Sequence, residues 1–207
     1  MEWKNISFYS IIIVVNFMQN IKGARSSFRS INTYANRGMT LEADLEASNT
    51  FYLVNDIAIV HKKPTPITIS KVDYPSRVQA VIKEGYFRTP STTDYNGVYK
   101  GKYIDFDAKE TKSKTSFPLE NIHPHQIKHL ENIARHGGIG FLIVRFTLLN
   151  KTFFLSIEKL LEFMNNNKRK SIPLDYFEKE GHIINDKYNP RVDYIEVINN
   201  LYFGGRK

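Results

Sequence analysis

The segment at residues 103–110, YIDFDAKE, constrains the fold of this chain more tightly than any other stretch. Apolar and charged residues alternate along it, and alternate side chains of a β-strand point to opposite faces. One face carries Ile104, Phe106 and Ala108. The other face carries Asp105, Asp107 and Lys109. The pattern predicts a strand with its apolar face in the core and two carboxylates and an ammonium projecting together from the opposite face.

The composition limits the classes of protein to which the chain can belong. Of its 207 residues, 42% are hydrophobic, which is enough for a core, and none is cysteine. The chain therefore has no thiol nucleophile, no thiolate zinc site and no disulfide framework. Its 29 Lys and Arg against 21 Asp and Glu give a net charge of +8, which favours a polyanionic partner such as nucleic acid or an anionic membrane surface. The expected location is the cytoplasm.

The N-terminal segment is apolar at residues 6–18, but 13 residues are too few to span a bilayer, which takes about 17–25. A secretory signal would carry a basic first region and a cleavage site of small residues, and the segment has one Lys and no such site. Two interpretations of this segment stay open: a signal peptide, or an upstream extension that precedes a true start at Met18. Residues 19–36 are typical of a flexible basic arm or of a tail without a role. We expect residues 1–35 to be flexible or extraneous and residues 36–207 to form a single domain that does not contact a membrane.

The next part of the chain changes from a helical to a strand-like pattern. Thr40 can cap a helix that runs to about Val54, and a buried strand follows at residues 57–60. Two strand-like stretches at 67–74 and 78–87 are bounded and interrupted by prolines. We expect this part to protrude from the main sheet.

The C-terminal half alternates strands and helices, which predicts an α/β architecture. Asn96 with Gly97 and Lys100 with Gly101 are turn signals between two strands. The remaining predicted elements are a helix at 118–136, strands at 139–146 and 151–155, and helices at 157–165 and 191–203.

A spacing of two carboxylates and a lysine suggests phosphodiester hydrolysis. Twelve residues separate Asp94, at the end of the preceding strand, from Asp107, and Lys109 follows two residues later. Carboxylate oxygens suit Mg²⁺, which activates a water and offsets charge on the phosphate. A nearby ammonium stabilises the charge that develops on the phosphorane. The alternative is a salt-bridged strand face in contact with solvent.

Gln126 interrupts the apolar stripe of the helix predicted at 118–136. The stripe consists of Leu119, Ile122, Leu130 and Ile133. An inward-pointing amide costs free energy unless it has a partner, so Gln126 either bonds to the backbone or faces the carboxylates and completes a metal shell.

Four histidines lie within this predicted helix, and a zinc site is one interpretation of them. They are His123, His125, His129 and His136. The chain has no HExxH pattern, so surface or phosphate-contacting histidines are the favoured interpretation.

Several segments resemble one known family. They are NRGMTLE at 36–42, HKKPTP at 61–66, AVIKEGYF at 80–87, STTDYNGVYKGKYIDFDAKETKSKTSF at 91–117, and PRVDYIEVINNLYF at 190–203. On these motifs the chain is identified as a member of the RecU Holliday-junction resolvases, within the PD-(D/E)xK nuclease superfamily. The resemblance covers residues 36–203.

The resemblance implies a restriction-endonuclease-like mixed sheet flanked by helices, with a protruding stalk segment at about 64–91. It implies Mg²⁺, with Mn²⁺ as a substitute. The implied metal ligands are Thr92, Asp94, Asp107 and Gln126. Lys109 would stabilise the transition state, and Glu42 matches a helix carboxylate that supports such sites in the superfamily.

The resemblance also implies partners. They are four-way junction DNA, a second copy in a homodimer, a RecA-type recombinase and a branch-migration helicase. The candidate DNA-binding residues are Arg37, Lys62, Lys63, Arg77, Lys83 and Phe87. The basic ones suit crowded phosphates, whereas the Phe87 ring either stacks on unpaired bases or packs within the strands.

The expected function is a Mg²⁺-dependent endonuclease that resolves Holliday junctions by paired symmetric nicks during recombination and repair. One alternative is a non-catalytic junction-binding accessory that modulates a RecA-type recombinase, and another is a restriction-type duplex nuclease. Two positions depart from the patterns: Asp107 stands where the family usually has Glu, and Thr93 stands where the superfamily has Pro.

Overall fold

The computed structural model describes residues 40–76, 78–87 and 92–204. Its helices are α1 (Leu41–Val54), α2 (Pro124–Arg135), α3 (Ile157–Asn166), α4 (Leu174–Glu180) and α5 (Tyr194–Tyr202). Its strands are β1 (Ile59–Lys62), β2 (Ile67–Asp73), β3 (Val81–Phe87), β4 (Tyr95–Tyr99), β5 (Lys102–Thr111), β6 (Ser116–Pro118), β7 (Ile139–Phe146), β8 (Lys151–Ser156), β9 (Ser171–Pro173) and β10 (His182–Ile184). Within the described ranges, we find no helix of the length and apolarity needed to cross a bilayer. The expectations for residues 1–35 lie outside the described residues.

The central sheet has six strands in the order β1-β4-β5-β7-β8-β10. Strands β5 and β7 are parallel, with Asp107 opposite Leu142, and the other neighbouring pairs are antiparallel. The predicted mixed sheet is therefore confirmed.

Helices cover both faces of this sheet. On one face, α1 and α5 pack on Phe106 and Phe141 of the central strands. On the other face, Leu130 of α2 and Leu160 of α3 join a second cluster that contains Leu142. Strand β7 is buried at every position because both of its faces are covered. The predicted flanking helices are confirmed, and the charged face of β5 lies beneath α2.

Strands β2 and β3 form a separate hairpin sheet. Each described residue of these two strands is exposed, and the register pairs Ile67 with Phe87. The predicted protruding segment is thus an antiparallel hairpin that contributes nothing to the core of the domain.

The turn predicted at Asn96 and Gly97 is wrong. Both residues lie inside β4, and the chain turns only at Lys100 and Gly101, which have positive φ angles of 47° and 75°. A Cβ built on Gly97 would lie 2.1 Å from the carbonyl oxygen of Ile59 on β1. Position 97 therefore requires a glycine because the neighbouring strand approaches it closely.

The helix predicted at 118–136 is shorter than expected. A 3₁₀ turn at Leu119–Asn121 comes first, and α2 begins at Pro124, a residue type favoured at the first helical position. Leu119 and Ile122 still pack in the cluster beneath α2, although they precede the helix. The short elements β6, β9, α4 and β10 were not predicted, because runs of three to seven residues carry little periodic signal.

Candidate active site

The two carboxylates on the charged face of β5 are not in contact with solvent, whereas Lys109 is partly exposed and pairs with Asp107. The alternative of a solvated strand face is therefore wrong for the carboxylates. Asp105 and Asp107 are completely buried. Burial of two carboxylates is costly unless donors or cations face them. The contacts of each carboxylate therefore define what this part of the molecule can do.

Asp107 lies between a helix amide and a lysine. The Gln126 Nε2 atom of α2 donates to Asp107 Oδ1 at 2.8 Å. The Lys109 Nζ atom lies 2.5 Å from Asp107 Oδ2. The structure therefore brings together three of the residues that the sequence singled out.

Gln126 has both ends of its amide engaged. Its Oε1 atom accepts from the backbone N–H of His123 at 3.0 Å, while its Nε2 atom donates to Asp107. The two interpretations of Gln126, a backbone bond and a carboxylate contact, are both realised. The side chain therefore links the backbone at the start of α2 to Asp107 and orients this carboxylate.

The environment of Asp107 favours its protonated form. Burial raises the pKa of Asp107 to about 7, the neighbouring Asp94 carboxylate adds to the rise, and Lys109 opposes it. Near neutral pH the Asp107 carboxyl is therefore divided between its protonated and ionised forms, and further positive charge beside it favours the ionised form.

Asp94 and Thr92 lie on the segment that enters β4, and both are half-buried. The backbone N–H of Lys63 donates to the carbonyl of Asp94 at 2.7 Å, which ties this segment to the end of β1. An open cleft of about 270 Å³ lies here. It is lined by Thr40, Leu41, Glu42, Lys62, Asp94, Tyr95, Ala108, Lys109 and Glu110.

The donor set fits a hard divalent cation. Among the described residues, the buried Asp107 Oδ2 atom is engaged by the Lys109 ammonium at 2.5 Å and by no further hydrogen-bond donor. Asp94 presents a second carboxylate at the cleft. In the described ranges, no three His, Asp or Glu side chains are grouped to hold a metal ion. The arrangement suits Mg²⁺, which keeps several waters and takes one or two protein carboxylates.

Glu42, the candidate supporting carboxylate, is on the first turn of α1 at the rim of the cleft. It pairs with Lys62, and the resulting hydrogen bond raises the pKa of this lysine. Glu110 of β5 accepts from the backbone N–H of Leu41 at 2.8 Å and fixes the start of α1 here. Glu42 is therefore paired with Lys62 at the rim of the cleft, and its supporting role stays a prediction.

Comparison with known proteins identifies the family. The family model described as "Recombination protein U" matches residues 36–200. The chain belongs to the RecU family.

RecU relatives match most of the chain. A protein named Holliday junction resolvase RecU from Geobacillus kaustophilus (strain HTA426) is 58% identical over 173 residues, covering 82% of this chain and 86% of the relative. One of the same name from Bacillus cereus (strain G9842) is 54% identical over 175 residues, covering 83% and 88%. A solved structure of Archaeoglobus fulgidus Hjc, a Holliday junction resolvase, matches with a TM-score of 0.41 and 13% identity over 70% of this chain and 95% of that one.

The candidate DNA-binding residues of this RecU protein have different surroundings. Phe87 is 81% exposed, so its ring is not packed within the described strands. Lys83 lies 3.4 Å from Asp73 across the hairpin. Lys63 is turned inward, with its Nζ atom 2.9 Å from Asp105. Arg37 and Arg77 lie outside the described residues.

The surroundings of Asp105 were not predicted from the sequence. This carboxylate has polar contacts with Lys63, Thr93, Tyr103 and His129. Its place on the same strand face as Asp107 was visible in the sequence. Its partners were not, because they come from other segments of the chain.

Proposed function

We propose that this protein is a divalent-metal-dependent endonuclease that resolves four-way DNA junctions by paired symmetric nicks during recombination and repair. The observation that carries the proposal is the buried Asp107 carboxylate, oriented by Gln126 and paired with Lys109, close to Asp94. RecU membership and the names of the relatives supply the substrate. A protein that only binds junctions has no need of a buried carboxylate that is held between a glutamine amide and a lysine.

The proposed cofactor is Mg²⁺, with Mn²⁺ as a substitute. Asp94 and Asp107 would hold the cation, with Thr92 as a further oxygen donor and Gln126 in an orienting role. When bound, the cation activates a water and offsets charge on the phosphate. Because it brings positive charge beside Asp107, it favours the ionised carboxylate.

Side chains of the protein orient Asp107, stabilise charge on the phosphate and form the rim of the cleft. Gln126 keeps Asp107 in one orientation through its 2.8 Å hydrogen bond. Lys109, with its side chain 20% exposed, is placed to stabilise negative charge on the phosphate in the cleft. Lys62 and Glu42 form the rim at which a DNA backbone enters.

A homodimer would place one such site on each of two opposing strands, because a two-fold protein matches the pseudo-two-fold symmetry of a four-way junction. The exposed β2–β3 hairpin would then sit at the crossover. A RecA-type recombinase and a branch-migration helicase are proposed as further partners on the family resemblance alone.

The test compares cleavage of a labelled four-way junction with cleavage of a matched linear duplex in Mg²⁺. Wild type is run beside Asp94→Ala, Lys109→Ala and the control Asp175→Asn, whose carboxylate is exposed on the first turn of α4. Binding is measured separately in Ca²⁺. We expect paired nicks on the junction alone, loss of cleavage in Asp94→Ala and Lys109→Ala with junction affinity within a few-fold, and wild-type behaviour of Asp175→Asn.

Other results would assign other functions. Tight junction binding without cleavage in Mg²⁺ or Mn²⁺ would support the non-catalytic recombination accessory. Equal cleavage of junction and linear duplex would support a restriction-type nuclease. A large loss of junction affinity in Lys109→Ala would place this lysine in the docking surface.

A further inference from the structure

Asp105 is a completely buried carboxylate that the catalytic proposal does not use. The Thr93 hydroxyl donates to its Oδ1 atom. Its Oδ2 atom accepts from Lys63 Nζ and from the Tyr103 hydroxyl, each at 2.9 Å. His129 Nε2 lies 3.1 Å from the same oxygen, within hydrogen-bond distance.

Lys63 holds the Asp94 segment in two independent ways. Its backbone N–H donates to the Asp94 carbonyl at 2.7 Å. Its side-chain Nζ donates to the Thr93 hydroxyl at 2.9 Å as well as to Asp105. The main chain at Asp94 and the side chain immediately before it are therefore fixed by the same lysine.

The two connections of the β2–β3 hairpin meet at this carboxylate. Lys63 follows the last residue of β1, where the chain leaves toward the hairpin. Thr93 lies just before β4, on the segment that follows the hairpin. Both connections are thus tied to one residue of β5, two positions before Asp107 and on the same strand face.

We propose that Asp105 is a positioning residue which, through Thr93 and Lys63, fixes the Asp94 carboxylate relative to Asp107 for cation binding. The inference rests on the proposed function. Both carboxylate oxygens of Asp105 are already occupied by Thr93, Lys63 and Tyr103, so Asp105 acts through these neighbours and not as a cation ligand. Lys63 belongs to this arrangement and is not a phosphate contact.

The decisive comparison is Thr93→Val against Thr93→Ser. Valine keeps the shape and removes the hydroxyl that donates to Asp105, whereas serine keeps the hydroxyl. The readouts are Mn²⁺ affinity by calorimetry without DNA, hydrogen exchange of residues 92–95, junction affinity in EDTA and melting temperature. Loss of a group that orients a metal ligand weakens metal affinity about 10–100-fold. We expect this loss and faster exchange in Thr93→Val, an affinity within about twofold of wild type in Thr93→Ser, and unchanged junction affinity in both.

Lys63→Met removes the ammonium that donates to Thr93 and Asp105, and the exposed Lys168→Met is its control. If Lys63 acts through Asp105, its replacement weakens Mn²⁺ binding and leaves the salt dependence of junction binding equal to that of Lys168→Met. A reduced salt slope with normal Mn²⁺ affinity would make Lys63 a phosphate contact and overturn the proposal.

The outcomes separate this inference from the proposed function. A wild type that binds Mn²⁺ but does not cleave junctions would contradict the nuclease, and Thr93→Val would still decide the role of Asp105. A wild type that cleaves, with Thr93→Val equal to it in Mn²⁺ affinity, would overturn the positioning role alone. A lower melting temperature with normal Mn²⁺ affinity would also overturn it. If Thr93→Val does not fold, Tyr103→Phe removes another donor to Asp105, and the same Mn²⁺ comparison applies.

Discussion

At the scale of single residues, Asp107 combines burial with a raised pKa. The folded protein binds the Asp107 proton more tightly than the unfolded chain does, so the contribution of this proton to stability is lost as the pH rises from the ordinary aspartate pKa of 3.8 through about 7. We expect Asp107→Asn to be more stable than wild type at pH 8 in EDTA and close to it near pH 4. Denaturant unfolding at several pH values measures this difference, with Asp175→Asn as the control that shows no such trend. A difference independent of pH would contradict the raised pKa.

The same residue can be probed through its helix partner. Gln126→Met removes the hydrogen bond to Asp107 and the one to the backbone of His123, leaving buried polar atoms unpaired. The free energy of unfolding should fall by about 1–3 kcal/mol at neutral pH. Lys128→Met on the same helix removes only an exposed ion pair with Glu131 and should cost about 1 kcal/mol or less. Equal effects of the two variants in denaturant unfolding would show that the Gln126 amide is not needed to orient Asp107.

At the scale of elements, the contact between β1 and β4 depends on Gly97. An added methyl group would lie 2.1 Å from the Ile59 carbonyl and 2.8 Å from the Val60 Cα atom, so the strands would have to separate. Gly97→Ala should destabilise the fold by at least about 3 kcal/mol. Gly101→Asn, at a turn with nothing within 4 Å of the added Cβ, is the matched control with a small effect. Denaturant unfolding compares the two, and a mild Gly97→Ala would mean that β1 is not held against β4 as described.

The β2–β3 hairpin is the element whose removal the domain tolerates best. Its described residues are all exposed, so replacing residues 67–87 with a Gly-Ser linker should change the free energy of unfolding by no more than about 0.5 kcal/mol. Under the proposed function, the same change should abolish the preference for a junction over a linear duplex in a binding assay. Retained preference would remove the hairpin from junction recognition. A large loss of stability would mean that the hairpin supports the core.

At the scale of the whole molecule, the net charge of +8 governs association with DNA. Binding of phosphates releases counterions, so junction affinity should fall by about tenfold or more between 50 and 200 mM salt. The slope of log affinity against log salt, measured in Ca²⁺ by fluorescence anisotropy, tests this expectation. A nearly flat slope would contradict backbone-dominated binding.

Local patterns predicted the elements with strong signals. Thr40 and the acidic first turn define the start of α1, and the alternation in β5 identifies a strand with two distinct faces. Gln126 was recognised because a polar residue interrupts an apolar stripe. The Asn96–Gly97 pair misled for the same local reason, since this dipeptide favours turns wherever nothing else intervenes. These two residues lie inside β4 because the backbone of β1 packs against them, and β1 is distant in the sequence.

The sequence by itself therefore determined the family, the mixed α/β architecture and the alternation that places Asp107 and Lys109 on one strand face. Only the tertiary structure decided that the carboxylates on this face are buried, that the Gln126 amide bonds to both Asp107 and the His123 backbone, and that Lys63 turns inward. The physical reason is sequence separation. The partners of Asp105 include Lys63, 42 residues away, and His129, 24 residues away. No periodic pattern within a single element encodes such contacts, because they form only when the elements pack against one another.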